Sequence, residues 1–345
     1  MILIYGAYGY TGTLITEQAV AEGLHPVLAG RNAAKVQALA GRWDLSYRAV
    51  ALDDAEGLRA MLEDVQCVIH CAGPFQDTSP PMVAACLATG THYLDITGEI
   101  PVLEALAAED DAARAAGIAL LPAVGFDVVP TDCLAAYVSD QLPEATALDI
   151  AFAGLGRISR GTARTALRQL GAPGQVRRNG ALMPIPAGSR TRTVDFGRGP
   201  RTVTTIPWGD LATAYRTTGI PNITAYTQLP ALARRLLQWS QPLEPLLQSS
   251  AVQHLLDRAV QALPAGPTPD ERAAGSVHVW AQATAGERTV TARLHGPDGY
   301  AFTARTAVAA AQRVVEDTLR GFHTPATAFG PDFVLGIEGV TREDV

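Results

Sequence analysis

The run Gly6-Ala7-Tyr8-Gly9-Tyr10-Thr11-Gly12 is the place where residue types and spacing first point to chemistry. It follows the short apolar stretch Ile2 to Tyr5 and opens a segment, Tyr10 to Ala21, that reads as a helix. In that context Gly6 permits a tight turn, Gly9 lets a pyrophosphate approach the backbone, and Gly12 lets the helix pack close to the strand. The free N–H groups and positive dipole end of the helix favour phosphate. The spacing is GxxGxxG rather than GxGxxG, and it implies a bound dinucleotide. The second strand ends in Ala29-Gly30-Arg31-Asn32, with no carboxylate to accept from a ribose 2′-hydroxyl. Arg31 instead sits where a guanidinium can hold a 2′-phosphate bidentately, so NADP(H) is expected over NAD. Asp53, at the end of the third strand, fits either an adenine contact or a plain helix cap.

Further chemistry lies after the later strands. Ala72-Gly73-Pro74-Phe75 follows the fourth strand and is expected to abut the nicotinamide ribose, because carboxyl ends face the crevice in such sheets. Tyr93, Asp95 and Glu99 lie at and after the fifth strand, and Gly125-Phe126-Asp127 through Asp132 after the sixth. Asp127, Asp132 and Tyr93 are the candidate catalytic residues, as groups that position a substrate or donate a proton. Asp95 and Glu99 are equally well explained as structural, with Thr97 and Glu99 capping the next helix. His70 lies inside an apolar strand and reads as a core residue. No His, Cys and acid cluster suggests a metal, no GxSxG is present, and the Ser-Tyr-xxx-Lys set of short-chain reductases is missing. Lys35, the only lysine, comes too early to serve it.

These loops need strands and helices to hold them. Apolar strands are expected at Ile2–Tyr5, His25–Ala29, Tyr47–Leu52, Gln66–Cys71, His92–Asp95 and Ile118–Pro122. Between them run helices capped by Asn32, by Asp53 and Asp54, and by Ser79, and a helix from Ile100 to Ala116 ended by Gly117. A further helix is expected over Cys133 to Asp140. Six strands alternating with helices imply an α/β Rossmann fold with a doubly wound parallel sheet. After Pro130 the rhythm changes to strands with Gly and Pro turns, including a hairpin at Ser276–Ala285 and Arg288–Leu294. The expectation is a Rossmann domain over 1–130 and a second α+β domain, built on an antiparallel sheet, over 131–302. The segment 303–345 is expected to pack back on the first domain through a helix from Thr303 to Arg320.

With 345 residues, 48% hydrophobic and 18% charged, the chain is globular with a sizeable core. Its formal net charge of −7 does not favour nucleic acid. No apolar run is long enough to span a bilayer, and no signal peptide is evident. The most lipid-like stretch, Leu229 to Leu247, carries Arg234, Arg235, Pro242 and Glu244, and reads as an amphipathic helix pair over an apolar pocket. Cys67, Cys71, Cys86 and Cys133 read as buried thiols, which suits a reducing cytoplasm. A homodimer is compatible with the sequence.

The chain resembles the saccharopine dehydrogenase-like oxidoreductases, and within them the trans-acting enoyl reductase group. The resemblance rests on Gly6 to Gly12, Ala29-Gly30-Arg31 and Ala72-Gly73-Pro74-Phe75. It extends to Gly90-Thr91-His92-Tyr93 with Asp95 and Thr97-Gly98-Glu99, and to Gly125 through Asp132. Val128 replaces a usual serine, and Tyr8 sits where threonine is common. The resemblance implies a Rossmann domain plus an α/β domain around an antiparallel sheet, use of NADP(H), and C=C or C–N redox chemistry. The expected activity is hydride transfer from NADPH to an unsaturated or carbonyl-type carbon of a small apolar or acyl substrate. Two alternatives stay open: a saccharopine-type C–N oxidoreductase, and a non-catalytic NADP-binding scaffold or redox sensor. The first would need a basic pocket, and Arg157 to Arg201 holds ten arginines against one acid, Asp195.

Overall fold

The computed structural model describes residues 1–154, 156–168, 171–240 and 249–345. They form two compact units: Met1–Val129 with Tyr300–Phe329, and Pro130–Gly299 with Gly330–Val345.

The first unit is built on seven parallel strands. They are β1 (Ile2–Tyr5), β2 (Val27–Gly30), β3 (Tyr47–Ala49), β4 (Cys67–His70), β5 (His92–Asp95), β6 (Ala119–Leu121) and, from much later in the chain, β15 (Gly321–Phe322). Their order is β15-β6-β5-β4-β1-β2-β3. The direction of winding reverses between β1 and β4, where doubly wound sheets bind ligands. β2, β4 and β6 are buried throughout, as expected of parallel strands covered on both faces. The register aligns Tyr5 with Ala29 and His70, and His70 with Asp95, so the loops that follow start from one level.

The local elements depart from the sequence expectations in several places; among them, the helix expected from Thr303 to Arg320 runs from Gly299 to Glu316, and the third strand stops at Ala49. β15 has two residues, too few to give a periodic signal. The helix expected over Ile100 to Ala116 is two helices, Ile100–Ala108 and Asp110–Ala116, and the acidic first turn Asp110-Asp111 favours a fresh start there. The helix expected to begin after Ser79 begins at Phe75 and runs to Thr89, with Pro80 and Pro81 inside it. Ser79 does not cap it; its hydroxyl donates back to the Phe75 carbonyl at 2.7 Å. The helix expected from Cys133 begins at Val129.

Among the described residues the second unit carries nine strands: β7 (Ala147–Ala153), β8 (Gly174–Arg178), β9 (Ala181–Ile185), β10 (Thr191–Asp195), β11 (Pro200–Thr205), β12 (Asn222–Thr227), β13 (Ser276–Ala285), β14 (Arg288–Pro297) and β16 (Thr341–Asp344). The sheet is mixed rather than antiparallel, because β7 and β12 run parallel. The chain between them is long enough for the crossover that a parallel pair needs. β13 and β14 form the expected hairpin through the two-residue turn Gly286-Glu287, where Gly286 has φ +60°. Gly330–Val345 belongs to this unit and not to the first, since β16 pairs antiparallel with β14. Of the amphipathic pair expected over Leu229 to Leu247, Ala231–Ser240 is helical and 241–247 lie outside the described residues. Among the described residues no helix is long and apolar enough to cross a membrane. No group of His, Cys, Asp and Glu among them is placed to hold a metal ion, and the four cysteines are free thiols.

Among the glycines of the first unit, Gly12 makes the closest approach to other backbone atoms. A Cβ there would stand 2.4 Å from the Gly6 carbonyl oxygen and 2.9 Å from the Ala7 Cα, both backbone atoms. Gly12→Ala is expected to lower unfolding free energy by about 1–3 kcal/mol. A urea midpoint equal to that of the wild type would show that the loop yields without cost.

Candidate cofactor and active site

The Gly-rich loop is tied to its neighbours by backbone atoms. The Gly6 and Ala7 amides both donate to the Ala29 carbonyl, at 2.8 and 3.2 Å, and the Gly9 amide donates to the Gly6 carbonyl at 2.9 Å. Gly6 has φ +79°, and a Cβ on it would lie 2.9 Å from Ala72, so the loops after β1 and β4 touch there. Gly9 is different: a Cβ there would meet only the Gly6 oxygen, at 3.1 Å, with open space otherwise. The helix Tyr10–Ala21 starts at Gly9 with no side-chain cap and no acid in its first turn. That bare, positive helix start suits a pyrophosphate. Thr11 is partly buried on this first turn, and the Tyr10 ring meets Tyr300 edge-on at 5.1 Å.

At the end of β2, Arg31 is exposed and, among the described residues, forms no ion pair. Asp54, not Asp53, caps the helix Ala55–Leu62, accepting from the Gly57 amide at 2.9 Å. This removes the capping role considered for Asp53 and leaves it exposed at the end of the sheet. Tyr5 reports on this corner. Burial pushes its phenol up to about 12, the Tyr8 and Asp53 charges push the same way, and the Arg31 charge opposes them. Tyr8, from the glycine run, also lies here, and so does Lys35, which the sequence did not single out for this corner. The Lys35 Nζ sits over the Tyr8 ring, 5.8 Å from its centre.

After β4 the exposed part of the loop is Gly73, with Ala72 and Pro74 partly buried; the Phe75 ring is buried, edge-on to His70 at 5.6 Å. Phe75 therefore belongs to the core and the helix start rather than to a cofactor surface. His70 is fully buried, neither ring nitrogen has a partner among the described residues, and burial pushes its pKa down to about 3. It is a neutral core residue.

Two acids join the loops at the carboxyl edge. Asp95 is fully buried and accepts from the Thr97 amide (3.0 Å), the Ala123 amide (2.8 Å) and the Tyr93 hydroxyl (2.8 Å). Ala123 reaches it by adopting φ +60°, a conformation that costs a non-glycine residue about 1–2 kcal/mol. Burial pushes Asp95 up to about 6 despite these three donors. Glu99 accepts from the Phe75 and Gln76 amides, at 3.0 and 2.9 Å, and so caps a helix more than twenty residues earlier. Tyr93 has no exposed atom and its hydroxyl is committed to Asp95, so it positions that acid and does not meet a substrate. Asp132 falls in the second unit, is fully buried, and accepts from the Thr217 hydroxyl at 2.6 Å. Its setting is structural, and the catalytic role considered for it is withdrawn.

Asp127 stands apart. It is partly buried, and unlike Asp95 and Glu99 it makes no hydrogen bond to a described residue. Its carboxylate packs on the bare backbone of Gly98, where a Cβ would lie 2.8 Å from Oδ2. Burial pushes it up to about 6, and the Glu99 charge adds to the shift. The loop that carries it is held by Thr303, whose hydroxyl accepts from the Phe126 amide at 3.0 Å, and by Thr306, which donates to the Val124 carbonyl at 2.7 Å. No local sequence signal marks these two threonines, which lie about 180 residues downstream.

The strand order, the switch point and the glycine loop define a dinucleotide-binding unit of the Rossmann class. Residues 2–121 match the family described as saccharopine dehydrogenase NADP binding domain. The chain is 26% identical over 214 residues to the mouse (Mus musculus) saccharopine dehydrogenase-like oxidoreductase, covering 54% of this chain and 50% of that one. It is 35% identical over 139 residues to the trans-acting enoyl reductase of Mycobacterium leprae, covering 38% and 33%. These matches span half or less of the curated relatives' lengths. Saccharopine dehydrogenase (L-Glu forming) of Saccharomyces cerevisiae has the same fold, with a TM-score of 0.66 at 14% identity over 100% of this chain and 99% of that one.

Two outcomes test this site. Gly9→Val is expected to abolish NADPH binding in calorimetry with at most a small change in melting temperature, since a Cβ there meets only the Gly6 oxygen, at 3.1 Å. Unchanged affinity would move the cofactor elsewhere. Asp95 gives a pH signature. A carboxyl raised from 3.8 to about 6 contributes stability that is full below 3.8 and lost as pH rises through 6. Asp95→Asn keeps an oxygen for the two amides and removes that loss. The stability of the variant relative to wild type should therefore rise between pH 4 and pH 7, by on the order of 2–3 kcal/mol. A pH-independent difference would contradict the assignment.

Proposed function

We propose that the chain is an NADP-dependent oxidoreductase acting on an unsaturated carbon of an apolar substrate. Bound NADPH would supply the hydride. Gly6, Gly9, Gly12 and the helix start would hold its pyrophosphate, Arg31 its 2′-phosphate, and Ala72 to Pro74 would border the nicotinamide end. The observation that carries the reading is Asp127, the one acid of the three at the carboxyl edge whose oxygens are not consumed by the fold. With a pKa near 6 it can give up or take a proton near neutral pH.

Two features of the second unit support an apolar substrate. A cavity of about 500 Å³ is lined by Phe152, Ile158, Ile206, Trp208, Leu229 and Pro230, among others. The Trp208 indole N–H is buried there without a partner among the described residues, a donor suited to one carbonyl oxygen. Part of the arginine-rich segment, in contrast, is tied up internally. Arg157 pairs with Glu271, Arg178 donates to Thr224, and Arg192 pairs with Asp149 and Gln282 over the Trp280 ring. Arg177 donates to the Leu211 and Gly180 carbonyls. These four arginines are not free to form the clustered basic pocket that a saccharopine-type substrate with several carboxylates would need.

NADPH oxidation measured across enoyl thioesters, enones, and 2-oxo acids with amines tests the proposal. Turnover of the unsaturated apolar compounds is expected; turnover of the oxo acid and amine pair alone would favour C–N chemistry, and no turnover with any would favour a scaffold. Asp127→Asn is expected to lower turnover at least about tenfold with NADPH affinity little changed. The wild-type rate in the reductive direction should fall as pH rises through about 6, as the acid loses its proton. Full turnover in Asp127→Asn with a lowered melting temperature would make the residue structural.

A further inference from the structure

We infer that Lys35, held in place by the ring of Tyr8, selects NADP over NAD together with Arg31. The inference rests on the NADP reading of the first unit and adds a second cation and its support to it.

Composition gives the first clue. Of the 27 basic residues, Lys35 alone is a lysine. A guanidinium is a planar fork, whereas an ammonium is a compact charge on a flexible stem that reaches a phosphate from many directions. Lys35 is the third residue of the helix Ala33–Ala40, and its amide donates to the Asn32 cap at 3.0 Å. Its exposed side chain carries Nζ over the Tyr8 ring, 5.8 Å from the centre. Tyr8 belongs to the glycine loop, and the ring is seated on Gly30: a Cβ there would stand 2.7 Å from its Cε1. Gly30 does not have a positive φ, so the backbone does not require glycine at that position. The ring does.

Charge gives the second. Arg31 and Lys35 are both exposed, and neither forms an ion pair among the described residues. The helix that carries Lys35 has no acid in its first turn. Two cations beside the positive end of a helix raise the energy of the free protein, and an anion between them relieves it. Tyr8, Arg31 and Asp53 all act on the Tyr5 phenol, which gathers these groups into one corner at the end of β2. A dianionic 2′-phosphate supplies two negative charges where Asp53 supplies one, and a 2′-hydroxyl supplies none. Tyr8 is thus a positioning residue that acts through Lys35.

The uniqueness of Lys35 permits a test on the unaltered protein. Acetylation by an N-hydroxysuccinimide ester is followed at Lys35 by peptide mass spectrometry, with NADPH, adenosine 2′,5′-bisphosphate, NADH or AMP each at equal saturation. The two 2′-phosphorylated compounds are expected to slow labelling at least about fivefold more than the other two. Lys35→Ala should weaken NADPH about tenfold and leave NADH unchanged, as for the loss of a charge-assisted pair. Tyr8→Ala should lose part of that factor, and nothing further when combined with Lys35→Ala. Equal protection by NADH and NADPH, or equal loss of both cofactors in Lys35→Ala, overturns the inference. If Arg31→Ala erases the NADPH preference while Lys35→Ala keeps it, the inference fails and the NADP reading stands. Wild-type protein that binds NADH as tightly as NADPH fails both.

Discussion

A carboxylate shut away from water must be solvated by the protein, and the way Asp95 meets that demand organises the carboxyl edge of the first sheet. Its donors come from β5 itself, from the loop after β5 and from the turn after β6. Leaving any of them unmade would expose a buried charge without compensation, a penalty of several kcal/mol. Glu99 extends the tie to the loop after β4 through two more amides. Three loops that share no sequence proximity are therefore held in one arrangement by two acid side chains. The strained φ of Ala123 follows from the same demand, because that turn is what brings its amide onto Asp95.

The contrast with Asp127 follows from this division of labour. All three acids sit at one edge, and two are neutralised by donors that the fold supplies. The third rests on a glycine backbone with only apolar burial and a neighbouring negative charge around it. Burial without donors lifts a carboxyl toward neutrality while leaving its oxygens available to another molecule. Gly98 matters here for its lack of a side chain, since any Cβ would collide with the Asp127 carboxylate.

The parallel sheet was legible because apolar strands and helix-period segments alternate from Ile2 onward, and the glycine loop was legible because its strand and helix flank it. Asn32 was legible as a cap because its partner amide is three residues away. The helix that begins at Phe75 was not, because its cap arrives from Glu99, beyond the reach of any local pattern. Tyr93 and Asp132 looked catalytic by position alone, and only burial and hydrogen-bond partners separate them from Asp127. The mixed character of the second sheet was hidden for a related reason. Strand direction is a property of pairing between distant segments, and β7 and β12 are separated by about seventy residues.

The first unit is interrupted in sequence: residues 130–299 intervene between its main part and the helix and edge strand that finish it. On the ribosome, β1 to β6 emerge early, yet Thr303 and Thr306, which hold the Asp127 loop, have still to be made. At roughly 5–20 residues per second, the nascent sheet waits on the order of ten seconds or more for them. During that interval the β6 edge is unpaired, a row of free backbone groups open to pairing with another chain.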